Sequence, residues 1–265
     1  GKTVSSVLTQ DIMEENFGRA SYHNLGGDGT NKNFVVENSD NEEDEEIDDC
    51  AKPLVMPSLW EDSSRGKVPM MWCINPNLCR RAPMVMDYLR STATDADYFA
   101  AGDNGAGYLN PGMLEEPRPI SGIPSGVDAW AEHNIPYYKQ WGLSITGFVI
   151  DGFAPAMGEA CMKAYARFSP NGIVPQKCEL GSLVDGMPVL RSGPDVYGSA
   201  SDAAPSVCNN LDTHPDFPFY WFRAILQSPS WYAGVKRTVE SRRSDVVWLD
   251  APSFFELLRI YLNEK

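Results

Sequence analysis

Histidine is scarce in this chain. There are three in 265 residues, His23, His133 and His214, far apart and with no HxxxH or HExxH pair. That spacing offers no helical pair of imidazoles to a metal and gives a Ser-His-Asp esterase no local signature. The six cysteines (Cys50, Cys73, Cys79, Cys161, Cys178, Cys208) form no CxxC, and most lie among apolar residues. They read as buried thiols rather than a zinc site, with disulfides left open. A Walker GxxxxGK[ST] loop and a GxSxG elbow are also missing, and Gly105-Ala106-Gly107 is not continued to GxGxxG. Nucleotide binding therefore has no support. The expectation is no metal and no cofactor.

No apolar run approaches the roughly 18 residues of a membrane span, so no membrane insertion is expected. Basic charge is in short supply as well. Twenty-two Lys and Arg face 36 Asp and Glu, a net charge of −14. Nucleic acids and anionic membranes are bound through basic patches, so neither is an expected partner. Much of the imbalance sits in one run, "EEDEEIDD" (42–49), which lacks the alternating ligands of a calcium loop and reads as a solvated segment. Such a charge balance suits a neutral substrate.

What is present is an alternation. Hydrophobic residues make up 43% of the chain and aromatics 11%, enough for a sizeable core. Strand-like runs occur at "NFVVE" (33–37), "KVPMMWCIN" (67–75), "DYFAAG" (97–102), "LSITGFVID" (143–151), "GIVPQKCE" (172–179), "GMPVLR" (186–191) and "DVVWLDA" (245–251). Helical patterns lie between them. In "NLCRRAPMVMDYLRSTA", Leu78, Ala82, Val85, Met86 and Leu89 share one face, with Asn75 and Pro76 as the expected cap and first turn. A further helix is expected over 125–142, with Pro136 as an interruption. Alternating strands and helices imply parallel strands with crossover helices. The fold class expected is α/β: a TIM-barrel-like (β/α) barrel with a full or incomplete count of strands, or else an open doubly wound sheet. Residues 1–33, polar and glycine-rich toward their end, read as an N-terminal extension, and residues 34–265 as the barrel-like domain.

Barrel enzymes keep their sites at the C-terminal ends of the strands. Here the strand ends carry Asn38 and Asp40, Asn75, Asp103, Asp151 and Glu179. The stretch "AAGDNGAGYLNPGM" (100–113) follows one of these strands. Its glycines allow close backbone approach and Pro111 fixes the far side of the turn. Several carboxylates on one rim match the needs of glycoside hydrolysis, which uses one carboxyl group as general acid and another as nucleophile or base. Asp40 and Asp151 are the candidate catalytic pair, with Glu179 and Asp103 in reserve. Tyr108, Asn75, Trp72, Asn41 and Asn110 are candidate sugar contacts, the aromatic pair also serving as an apolar wall. Arg65 is placed to hold a carboxylate.

The segment "GDNGAGYLNP" (102–111) resembles the signature of the GxGYxYP family, candidate glycoside hydrolases of gut bacteria. The likeness runs through "SSRGKVPMMWCINPNLCRRAPMVMDYLRSTATDADYFAAGDNGAGYLNP" and continues more loosely through "WGLSITGFVID", "GIVPQ", "DGMPVL", "FRAILQSP" and "FFELL". It spans roughly residues 34–262. The resemblance implies a TIM-barrel-like catalytic domain, an oligosaccharide or polysaccharide substrate and a periplasmic or extracellular location. Two departures stand out. Where the family's first strand ends in Asp-Gly-Asp-Asn, this chain has "NSDN", Asn38 to Asn41, and the second tyrosine of the signature is Asn110. An amide at position 38 neither donates an acidic proton nor attacks an anomeric carbon, so a noncatalytic glycan-binding barrel is the alternative to an enzyme.

Overall fold

Short apolar runs bounded by Asn, Gly or Pro form the strands, and the amphipathic stretches between them form the helices. The computed structural model describes residues 3–11 and 57–265, less 103, 105, 108, 118–121, 150, 153, 154 and 226. Its strands are β1 (Thr3–Asp11), β2 (Met70–Ile74), β3 (Asp97–Ala101), β4 (Ile145–Val149), β5 (Gly172–Pro175), β6 (Gly181–Val184), β7 (Met187–Leu190), β8 (Phe219–Ala224) and β9 (Val246–Leu249). The helices are α1 (Pro57–Trp60), α2 (Leu78–Arg81), α3 (Pro83–Ser91), α4 (Val127–Trp141), α5 (Glu159–Phe168), α6 (Ala200–Leu211), α7 (Pro229–Arg242) and α8 (Ala251–Asn263). Among the described residues, no helix is long and apolar enough to cross a membrane.

The strands form one sheet in the order β6-β7-β5-β4-β3-β2-β1-β8, with β9 also pairing β1. Every pairing is parallel except the β6–β7 hairpin. The α/β expectation with a mostly parallel sheet therefore holds. The expected strand at 33–37 and the acidic run lie outside the described residues. Of the expected N-terminal extension, Thr3–Asp11 is a strand of the sheet, hydrogen-bonded to β2, β8 and β9, and residues 12–33 lie outside the described residues. Pro136 does not interrupt α4. The helix runs on to Gly142, whose left-handed conformation ends it, and buried Trp130, Ala131, Tyr137 and Tyr138 hold both halves against the protein.

Alternate residues of β2 and β8 enter different apolar layers, as a period of two requires. Met70, Trp72 and Ile74 of β2, with Tyr220, Phe222 and Ala224 of β8, face a layer filled by α2 to α7. Met71, Cys73, Ala100, Val174, Leu190, Phe219 and Trp221 face the other layer. In that second layer the sheet folds over on itself. The Trp221 Nε1–H of β8 donates to the Gly147 carbonyl of β4 at 3.0 Å. In a flat sheet these strands, four steps apart, would be separated by about 19 Å. The curl therefore brings β8 across from β4. Gly147 permits the approach: a Cβ there would stand 2.8 Å from Cys73 Sγ and 3.4 Å from Trp221 Cζ2. Phe254, Phe255 and Leu258 of α8 complete the concave layer, with both phenylalanine rings against Trp221.

β7 and β8 do not pair as strands, and this is where the barrel expectation stands short of closure. The chain leaving β7 nevertheless reaches both sides. Ser192 N donates to the Pro175 carbonyl of β5 at 2.7 Å, while Gly193 N and Val196 N donate to the Trp221 and Arg223 carbonyls of β8 at 2.8 and 2.7 Å.

Candidate functional site

Because β2, β3, β4, β5, β7 and β8 run in the same direction, their C-terminal ends share one rim. Asp151 stands there, two residues past β4, with 0% of its surface exposed. Its Oδ1 accepts the Gln176 backbone N–H at 2.9 Å and its Oδ2 that of Lys177 at 3.1 Å. The carboxyl thus ties the end of β4 to the turn after β5. Burial raises its pKa above the ordinary aspartate value, and the two N–H bonds and the Lys177 charge oppose that rise without cancelling it.

Cys178, half-buried in the same turn, has its thiol pushed up to about 12, by burial first and then by the Asp151 charge, with Arg191 opposing and Glu179 adding. Of the expected carboxylates, Asp151 is buried at the end of β4, and Glu179 is exposed in the segment after β5.

Across the sheet stands a group that the sequence did not suggest. The pairing of β4 with β5 shifts register between Thr146 and Val149, and such a bulge re-aims the residues within it. Phe148 lies in this irregularity, and the Arg223 guanidinium sits 3.7 Å above its ring centroid. Arg223 donates through Nε and Nη2 to the two carboxylate oxygens of Asp195 at 2.9 and 2.7 Å. The Arg223 side chain is 13% exposed and that of Asp195 42%. A planar fork against a carboxylate, with an aromatic face beneath, is a rigid polar surface. Arg223 falls within "FRAILQSP" and Asp195 within "SGPDVYG", whose glycines and proline were the available signal.

The glycine-rich loop is built into the helix layer. Buried Asn104 accepts the Tyr165 hydroxyl of α5 through Oδ1 at 3.1 Å, and its carbonyl accepts the Trp130 indole of α4 at 3.1 Å. Its Nδ2 donates to the Leu109 carbonyl, which closes the loop on itself. Asn110 precedes a single 3-10 turn (Pro111–Met113) and its carbonyl accepts Met113 N at 3.0 Å. A Cβ on Gly112 would stand 2.4 Å from the Pro155 carbonyl oxygen, so only glycine fits there. Just beyond, Glu115 accepts the N–H groups of Gly158 and Cys161 at 2.7 and 2.9 Å, capping α5 from a distant part of the chain.

Other expected residues lie elsewhere. Trp72 is no wall of a cleft. It is 0% exposed, faces the helix layer, and donates its indole N–H to Asp97 at 2.7 Å. Arg65 does hold a carboxylate, but it is that of Asp97 at the opposite, N-terminal end of β3. Asn75 is half-buried at the end of β2 and its Oδ1 accepts the Asn77 backbone N–H at 2.9 Å, so it shapes a turn instead of capping with its side chain. Asn77 in turn meets His133 Nε2 at 2.8 Å. Asp40, Asn41, Asp103 and Tyr108 lie outside the described residues. Among the described residues, no three His, Cys, Asp or Glu side chains are grouped to hold a metal.

The family model described as "GxGYxYP putative glycoside hydrolase C-terminal domain" matches residues 48–181, about half of the chain. The chain belongs to the GxGYxYP family. The matched part of this GxGYxYP domain takes in β2 to β5, the glycine-rich loop and Asp151, whereas Asp195 and Arg223 lie beyond it. A solved structure described as a "putative hydrolase" from Bacteroides thetaiotaomicron VPI-5482 is similar, with a TM-score of 0.62 and 15% sequence identity. The alignment covers 99% of this chain and 46% of that one, so the GxGYxYP domain spans under half the length of this structural relative. At that identity the likeness speaks for the shared α/β fold. No curated protein matches.

Proposed function

We propose that this domain hydrolyses glycosidic bonds of an oligosaccharide or polysaccharide at the C-terminal mouth of a barrel-like sheet, with Asp151 as the general acid. The family to which the chain belongs supports the reaction class. The curl that brings Trp221 to Gly147, and the bonds from Gly193 and Val196 to β8, support the barrel-like form. The observation that carries the assignment is the buried Asp151 carboxyl, raised in pKa at a strand end and fixed by two backbone N–H groups. A carboxyl that keeps its proton above the ordinary aspartate range can pass it to the glycosidic oxygen, so that the leaving sugar departs as an alcohol. A second carboxylate then attacks the anomeric carbon or takes a proton from the water that does. Asp40 is our assignment for that role, with Glu179 and Asp103 as alternates. A glycan outside the cell fits the periplasmic or extracellular location, which cell fractionation tests.

The experiment is reducing-end release from a panel of polysaccharides by the wild type and by Asp151→Asn. The acid must be protonated to act, so kcat/KM falls as pH rises through the elevated Asp151 pKa. The variant loses that limb together with about a hundredfold or more of the rate. Unchanged release by a folded variant refutes the assignment. A second reading, a noncatalytic glycan-binding barrel, is favoured by the amide at Asn38 and by the fact that both Asp151 oxygens already serve backbone N–H groups. It requires glycan binding without cleavage, unaltered by Asp40→Asn and Asp151→Asn.

A further inference from the structure

Tyr197 is 79% exposed, although it belongs to the segment that bridges β5 to β8. Its neighbour Val196 is 2% exposed and donates its backbone N–H to the Arg223 carbonyl. On the other side the Gly198 carbonyl accepts the Trp231 indole N–H at 2.8 Å, and Ser199 then caps α6 in a reciprocal box with Asp202. The backbone on both sides of Tyr197 is therefore fixed, while its ring stands in water. Val196 is buried between exposed Asp195 and exposed Tyr197, within a run that is otherwise exposed from Pro194 to Ser199. With Val196 turned inward between them, Tyr197 and the Asp195 carboxylate held by Arg223 both face outward from this segment.

We infer that Asp195, Tyr197 and Arg223 form a sugar-binding subsite on the β8 side of the rim, which takes a neutral glycan. The inference rests on the glycan reading above. A pyranose has an apolar C–H face and a rim of hydroxyls. An exposed aromatic ring stacks on the first, and a rigid carboxylate–guanidinium pair answers the second. Each Asp195 oxygen keeps a lone pair beyond its bond to Arg223, and Nη1 takes no part in that pair. Asp195 offsets the Arg223 charge, so the surface favours neutral sugars over acidic ones. The pre-set backbone lowers the ordering cost of binding.

The test is calorimetric titration of the full chain with cellohexaose, xylohexaose, mannohexaose and maltohexaose, and with a chondroitin hexasaccharide as the acidic control. At least one neutral hexasaccharide binds. Tyr197→Ala weakens it about tenfold, while Tyr197→Phe, which keeps the ring, binds like the wild type. Thermal melting of Tyr197→Ala matches the wild type, since the ring is in water. The subsite is overturned if no neutral hexasaccharide binds, if Tyr197→Ala binds unchanged, or if the acidic sugar is preferred. Reducing-end release is followed in the same samples to separate the two readings. Cleavage with a KM indifferent to Tyr197 overturns the subsite alone. Tyr197-dependent binding without cleavage upholds the subsite and overturns the hydrolase.

Discussion

Consider a single methyl group added at Gly147. Its carbon would stand 2.8 Å from Cys73 Sγ, 3.4 Å from Trp221 Cζ2 and 3.7 Å from Ala100 Cβ. Comfortable contacts between such atoms begin near ~3.5 Å, so the sulfur is overlapped by more than half an ångström. Cys73 is buried and the Trp221 ring is pinned by its hydrogen bond to the Gly147 carbonyl, so neither has an easy way to yield. Gly147→Ala is therefore expected to cost about 1–3 kcal/mol, the usual range for overpacking. Cys73→Ala on its own removes a buried sulfur and costs about 1 kcal/mol. Combined, the two changes fit together, because the new methyl takes the space the sulfur leaves. The double variant should be more stable than the sum of the singles by about 1 kcal/mol or more. Urea denaturation with a constant slope measures all four corners of this cycle. If the two costs add to within about 0.5 kcal/mol, the residues are not neighbours, and the curl that brings β4, β2 and β8 together is wrong.

Asp97 predicts a larger effect at the other end of the sheet. It accepts bonds from Arg65, the Trp72 indole and both the backbone and hydroxyl of Thr94, so Asp97→Ala should cost about 3–5 kcal/mol by stranding a guanidinium and a buried N–H. Denaturant midpoints check this, and a loss under about 1 kcal/mol would count against it. Glu115→Ala should cost about 1–2 kcal/mol by uncapping α5. Hydrogen exchange should quicken at the Gly158 and Cys161 amides, and Glu115→Gln, which keeps an acceptor oxygen, should restore part of the protection.

The parallel sheet was legible because β2, β3, β4, β5, β7 and β9 are short apolar runs separated by helices with a clear apolar face. Residues Leu78, Ala82, Val85, Met86 and Leu89, expected on one face, are all buried. What escaped has physical reasons. β8, "FYWFRA", is apolar on both faces and shows no period, and α6 carries Pro205 inside it. In β1, Ser5 and Ser6 break the alternation. For β2 the sequence could not say which of two apolar faces looks outward, so Trp72 seemed available to a sugar when it belongs to the helix layer. Asp151 stood out because it closes the apolar run "LSITGFVID". Asp195 and Arg223 did not, since 28 positions separate them and only the curled sheet makes them partners.

The concave layer also bears on how the chain reaches its shape during synthesis. Phe219, Trp221, Leu190 and Val174 are covered there by Phe254, Phe255 and Leu258 of α8. A ribosome that has released β8 but not yet α8 has made a curved sheet whose hollow is still open to water. The partly made molecule therefore presents a sticky aromatic hollow until some thirty further residues have emerged, the interval in which a growing polypeptide is most in need of a chaperone. Removing α8 would leave that interval without end.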